Sequence, residues 1–216
     1  MRRLIWALLA VVVFVAAASV PAVAGTVYSS GPLNGNFSHW TINFGYSITD
    51  EFTLTSATTV GAVDFTIWAY PDASLSSVDW SISSTAFGGP FTTATTTGTY
   101  QFTNRYGWNV DNESFSTGNL VLGPGTYYLT LQNGIVSDDF PVAWDENDGS
   151  SIGYYRLPDG SENSISNYDC FEGVGCGLSG GETFSLEGAV PEPSSLLLMG
   201  SGLVSFAGIM RRKLKA

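Results

Sequence analysis

Basic charge is nearly missing from the middle of this chain. Between residues 25 and 189 there is no lysine, and Arg105 and Arg156 stand against eighteen carboxylates, a formal charge near −16. Binding to nucleic acid or to an anionic membrane depends on Lys and Arg neutralising phosphates. That composition argues against both partners and suits solubility outside the cell, divalent-cation uptake or avoidance of anionic polysaccharide. Histidine is as scarce, with His39 alone in the whole chain. Cysteine is limited to Cys170 and Cys176. A zinc site needs four ligands, and one histidine with two cysteines does not supply them. Two thiols so close together in an exported chain are expected to form one disulfide closing a Gly-rich loop.

A sustained 3.6-residue period is also lacking between the two ends. Period-two alternation takes its place. Phe52 and Leu54 alternate with Thr53 and Thr55; Val63, Phe65 and Ile67 with Asp64 and Thr66; Val78, Trp80 and Ile82 with Asp79, Ser81 and Ser83. Tyr127, Leu129 and Leu131 repeat the pattern, and Val142 with Trp144 and Phe184 with Leu186 give shorter examples. Such runs, rich in β-branched and aromatic residues, read as half-buried strands. Turn chemistry separates them at Tyr70-Pro71-Asp72, Gly88-Gly89-Pro90, Gly123-Pro124-Gly125, Asn133-Gly134 and Asp148-Gly149. The expected fold class is all-β, an antiparallel β-sandwich of jelly-roll type spanning residues 25–189.

The two ends read differently. Arg2 and Arg3 precede an uncharged apolar stretch over residues 4–18, and Ala22-Val23-Ala24 is an A-x-A cleavage site. Residues 1–24 are therefore expected to be a signal peptide, cut by signal peptidase between Ala24 and Gly25. Residues 194–210 form a second apolar run, seventeen residues long. At about 1.5 Å rise per residue it reaches about 25 Å, near the lower limit for one transmembrane helix. Four of the last six residues (211–216) are cationic, which places them on the cytoplasmic side.

Pro191-Glu192-Pro193, the apolar segment through Met210 and Arg211-Arg212-Lys213 follow one another at the C-terminal end. In that order they resemble the PEP-CTERM sorting signal of exopolysaccharide-producing Gram-negative bacteria. The resemblance covers residues 190–216. It implies recognition by an exosortase, a membrane cysteine protease that cuts at or near Pro191-Glu192-Pro193, so that the span serves as a transit anchor. Val78-Asp79-Trp80-Ser81-Ile82, Gly125-Thr126-Tyr127-Tyr128-Leu129-Thr130-Leu131 and Ala143-Trp144-Asp145-Glu146-Asn147 resemble the β-rich ectodomains found before such tails.

Four motifs invite a chemical reading. Gly177-Leu178-Ser179-Gly180-Gly181 matches the G-x-S-x-G nucleophile elbow, yet no histidine follows Ser179 as that fold requires, and His39 lies in no recognisable histidine loop. Asp145, Asn147 and Asp148 set oxygen ligands before Gly149, a candidate Ca²⁺ loop, although the twelfth position from Asp145 is Arg156 where an EF-hand needs Glu. Trp68 and Tyr70 fall out of phase with Val63, Phe65 and Ile67 and are the candidate exposed pair for stacking a sugar. Trp80 and Trp144 stay in phase and belong to the core. The threonine-rich residues 92–99 read as a surface strand or hairpin. The expected protein is exported, is not an enzyme and carries no resident cofactor. Its expected place is the cell surface or extracellular matrix, in a structural or adhesive role with exopolysaccharide. A carbohydrate-binding module is the main alternative and a secreted hydrolase a distant one.

Overall fold

A computed structural model describes residues 25–35, 38–147, 149–165 and 180–189. Every strand pairing in it is antiparallel, and the strands fall into two sheets. Strand β4 (Thr58–Ala69) is the spine of the first sheet. Strand β8 (Asn109–Leu122) runs along one edge of β4 for its whole length, with β7 (Thr97–Thr103) outside it. Two shorter strands share the other edge. Strand β13 (Phe184–Gly188) covers the first half of β4 and β10 (Ala143–Glu146) the last residues, with Phe184 opposite Phe65 and Trp144 opposite Ile67. Beyond them lie β1 (Thr26–Ser29), paired with β13, and β2 (Ser38–Thr41), paired with β10.

The second sheet has the order β12 (Glu162–Ser164), β11 (Gly153–Arg156), β3 (Ser47–Leu54), β9 (Gly125–Val136), β5 (Leu75–Ser83) and β6 (Thr92–Thr95). From β3 to β5 and again from β8 to β11, each successive strand crosses to the other sheet. Residues 25–189 cluster as one compact unit.

One apolar core draws on both sheets. Ile48, Phe52, Leu129, Leu131 and Trp80 come from the second; Val63, Phe65, Ile67, Phe115, Trp144 and Phe184 from the first. Rings meet across the layers: Phe52 against Phe184 at 5.9 Å, Trp80 against Phe115 at 5.2 Å, and Trp40 stacked on Tyr155 at 4.7 Å. Offset and edge-on aromatic pairs of this kind add to the hydrophobic gain of burying the rings. The inward residues are those the alternation selects, and Trp80 and Trp144 are both buried.

Among the described residues the expected turns fall between strands, with one correction. Tyr70-Pro71-Asp72 joins β4 to β5, with Asp72 at φ 70°, and Gly123-Pro124-Gly125 joins β8 to β9. Asn133-Gly134, expected as a turn, lies inside β9. The register with β5 slips there, and Asn133 takes φ 52°. An extra residue in one strand gives a bulge, and the left-handed conformation that Asn tolerates serves a bulge as well as a turn. The threonine-rich segment is the edge β6, then Thr96, then the edge β7. Thr96 is buried, its hydroxyl donating to Leu75 O at 2.8 Å as the chain changes sheets.

Candidate functional site

Three turns meet at one end of the molecule and carry aromatic rings there. Tyr70 closes β4, and Ala73 N donates to its carbonyl at 3.0 Å. Asn104 organises the β7–β8 turn, its Oδ1 accepting from Tyr106 N at 3.0 Å and Trp108 N at 3.1 Å. In the β9–β10 connection, Phe140 N donates to Asp138 Oδ1 and the Phe140 carbonyl accepts from Asn43 Nδ2 at 3.0 Å. The rings form a continuous run. Phe140 lies 4.8 Å from Tyr70, Tyr70 lies 4.4 Å from Trp108, and Trp108 lies 5.5 Å from His39. His39 stacks on Trp68 at 4.3 Å, and Trp68 meets Tyr106 at 5.9 Å. The Arg105 guanidinium sits over the Tyr106 ring at 4.8 Å.

The expected exposed pair is half right in position. Tyr70 is 40 % exposed, but Trp68 is 1 % exposed. Trp68 Nε1 donates to Asp145 Oδ1 at 2.6 Å, and the rings of His39 and Tyr106 flank it, so it supports the run from beneath. Strand parity does place Trp68 away from the inter-sheet core, as the sequence says; His39 of β2 and Tyr106 of the β7–β8 turn then cover that outer face. Tyr106 and Phe140 are the exposed rings beside Tyr70 that alternation could not flag, because they lie in turns. Burial pushes the His39 pKa down to about 4, which keeps the imidazole neutral in this stack.

Asp145 also differs from the expected exposed loop ligand. It is wholly buried, with Oδ1 taken by Trp68 and Oδ2 accepting from Thr183 Oγ1 at 2.9 Å and from Gly35 N at 3.4 Å. Burial pushes its pKa up to about 6, against the opposing pull of those hydrogen bonds. Asn147 Oδ1 accepts from Gly149 N at 2.7 Å, and its Nδ2 donates to Ser30 Oγ at 3.3 Å. These two side chains tie a loop to β1 and the residues before β13. Asp148, the third expected ligand, lies outside the described residues, as do Cys170, Cys176 and Ser179. Among the described residues no three His, Cys, Asp or Glu side chains are gathered closely enough to hold a metal by themselves.

A second group of acids went unnoticed in the sequence. Asp50 on β3, Glu146 at the end of β10 and Glu182 just before β13 are all buried, and Glu146 and Glu182 form an antiparallel bridge. Glu182 N donates to Asp50 Oδ2, and Ser151 Oγ donates to the same oxygen at 3.1 Å. The signal was parity: Asp50 is in phase with Ile48 and Phe52, Glu146 with Trp144, and Glu182 with Phe184. Each acid therefore sits on the core-facing side of its strand.

At the C-terminal end, residues 189–213 match the PEP-CTERM protein-sorting motif. The tail is a PEP-CTERM sorting signal. No curated protein matches the chain at a significant level. Such a motif implies exosortase recognition and export to the cell envelope or surface, as in Gram-negative bacteria. Pro191, Glu192 and Pro193, the expected span over residues 194–210 and the signal peptide through Ala24 lie outside the described residues. Among the described residues no helix is long and apolar enough to cross a membrane.

Proposed function

We propose that the exported domain is a structural, adhesive component of an exopolysaccharide matrix, holding uncharged polysaccharide against its aromatic end. The observation that supports this reading is the run from Phe140 through Tyr70 and Trp108 to Tyr106, with three of its rings substantially exposed. Apolar sugar faces stack on such rings, and the buried Trp68 and Asp145 with the half-buried His39 fix their positions. Fixed rings bind without first losing rotamer freedom. A domain near −16 repels anionic polymer, which favours a neutral glycan. The protein acts by binding, without turnover.

The finer features fit the same reading. Signal peptidase removes residues 1–24, residues 194–210 hold the chain in the membrane as one helix until exosortase acts, and Cys170 pairs with Cys176. The alternation of successive strands between sheets supports a jelly-roll-like sandwich. Mass spectrometry of the secreted form should give a chain beginning at Gly25 and ending close to Pro191, about 2 Da lighter than the reduced chain for the bridge. An intact N-terminus at Met1 or a retained basic tail would remove the trafficking basis.

Binding is measured by sedimentation with the producing strain's purified neutral exopolysaccharide. Tyr70→Ala and Trp108→Ala should each weaken retention by about tenfold, the equivalent of about 1.4 kcal/mol per stacked ring. Ile135→Ala, which removes an exposed side chain on β9 outside the ring run, should leave it unchanged. Equal retention by all three proteins would dismiss the aromatic end as the adhesive surface.

A further inference from the structure

Glu182 is 0 % exposed and neither of its carboxylate oxygens has a hydrogen-bond partner. Asp50, equally buried, leaves Oδ1 unpartnered as well. Native proteins rarely leave such atoms unsatisfied, since an isolated buried carboxylate costs several kcal/mol or more. The charges that bear on Glu182 are all of its own sign: Glu146, Asp50 and Asp145. Of the two basic residues in the domain, Arg156 is engaged with Glu162 at 2.6 Å and Arg105 lies over Tyr106 at the ring run. Among the described residues no basic side chain therefore neutralises the group.

We propose that Asp50 and Glu182, backed by the charge of Glu146, bind one Ca²⁺-like divalent cation between the two sheets. Asp50 belongs to the second sheet, and Glu146 and Glu182 to the first, so a bound ion would clamp the layers together. Asp50 is anchored for this task, because Ser151 Oγ and Glu182 N both donate to Oδ2 and leave Oδ1 directed elsewhere. Glycine lets the segments that carry these acids approach closely: a Cβ on Gly153 would collide with Ile165 Cδ1 and touch Glu182 Oε1 at an ordinary 3.7 Å, and one on Gly181 would collide with Ser151 Oγ and crowd Asp50 Oδ2. Three acids do not already converge here, and Ser38 hydrogen-bonds to Glu146. The ion is then held by two carboxylates, with neutral oxygens such as Ser151 Oγ and water completing the shell. Calcium accepts a mixed, flexible oxygen set of that kind, whereas magnesium demands a near-ideal octahedron. The site is distinct from the loop of Asp145, Asn147 and Asp148, where the first two side chains are occupied by protein donors.

The test is calorimetric titration of the purified, chelator-stripped full chain with CaCl₂ at pH 7.5, alongside thermal melts with and without the metal. One equivalent should bind, and the melting temperature should rise by several degrees. Glu182→Gln and Asp50→Asn should each weaken binding at least tenfold, and their metal-free melts should equal or exceed that of the metal-free wild type. The second variant guards against misfolding of the first, and Asp64→Asn on the half-buried part of β4 should bind as the wild type does. No heat in the wild type overturns the proposal. So does calcium binding that persists undiminished in both variants, which would assign the heat to diffuse surface carboxylates.

Discussion

Trp144→Ala is expected to destabilise the domain by about 3–5 kcal/mol, the cost of emptying a large aromatic from a closed core. Trp144 is 0 % exposed and sits on β10 between β2 and β4. Its ring meets Phe65 edge-on at 6.4 Å and Phe184 at 5.8 Å, while Nε1 donates to Thr183 O at 2.9 Å. Alanine removes all three interactions, although Thr183 O keeps the Thr66 amide as a donor at 3.2 Å. The lost hydrogen bond therefore adds less than a full orphan would. The walls cannot collapse easily, because β10 is short and is pinned on both sides by strands of the same sheet. Domains of this size have about 5–15 kcal/mol of total stability, so the loss should bring the variant close to unfolding. Urea denaturation followed by tryptophan fluorescence and circular dichroism measures it. Val121→Ala, at a side chain 72 % exposed on β8, should stay within about 0.5 kcal/mol of the wild type. A Trp144→Ala midpoint matching that of Val121→Ala would show that β10 is not part of the cooperative core.

The core around Trp144 was legible because alternation is a direct consequence of pleat geometry, and Val142, Trp144, Phe184 and Leu186 obey it. The same rule puts Asp50, Glu146 and Glu182 on the inner face, against the surface position that a carboxylate ordinarily takes. Trp68 shows the opposite limit. Parity correctly set it on the outer face of β4, and only the fold reveals that His39 of β2 and Tyr106 of the β7–β8 turn bury it. Tyr106 and Phe140 sit in turns with no periodicity to read, so the ring run needed coordinates. Asn133-Gly134 carries the chemistry of a turn and of a bulge alike, and local sequence does not separate the two. Sorting was the most legible property, since Pro191-Glu192-Pro193, the apolar run and the basic end are contiguous in the chain and need no fold to bring them together.

Glu113 supplies the second large effect, through pH. It lies on β8 opposite Gly98 of the edge strand β7, only 2 % exposed, with Oε2 lacking a partner. Gly98 makes that placement possible, since a Cβ there would strike Oε1 of Glu113. Burial raises the Glu113 pKa to about 7; the Thr96 hydroxyl pulls against the shift, and the charge of Asp111 adds to it. The folded state thus holds a proton that the unfolded chain, with an ordinary carboxyl near 4.5, has already lost. The resulting stability is complete below pH 4.5 and disappears as pH rises through 7. A shift of that size corresponds to an upper bound of about 3 kcal/mol. His39 works with the opposite sign: its lowered pKa adds stability above pH 6.5 and loses it as pH falls towards 4. The two therefore oppose each other between about pH 4.5 and 6.5, and comparing the wild type with Glu113→Gln isolates the carboxyl. At pH 8 the variant should be more stable than the wild type by about 1–2 kcal/mol, because it no longer buries a charge. At pH 4.5, where both side chains are neutral, that advantage should vanish. Urea midpoints at the two pH values, taken with chelator present to exclude metal effects, decide the matter. An advantage of equal size at both would mean that packing, and not ionisation, separates the two proteins.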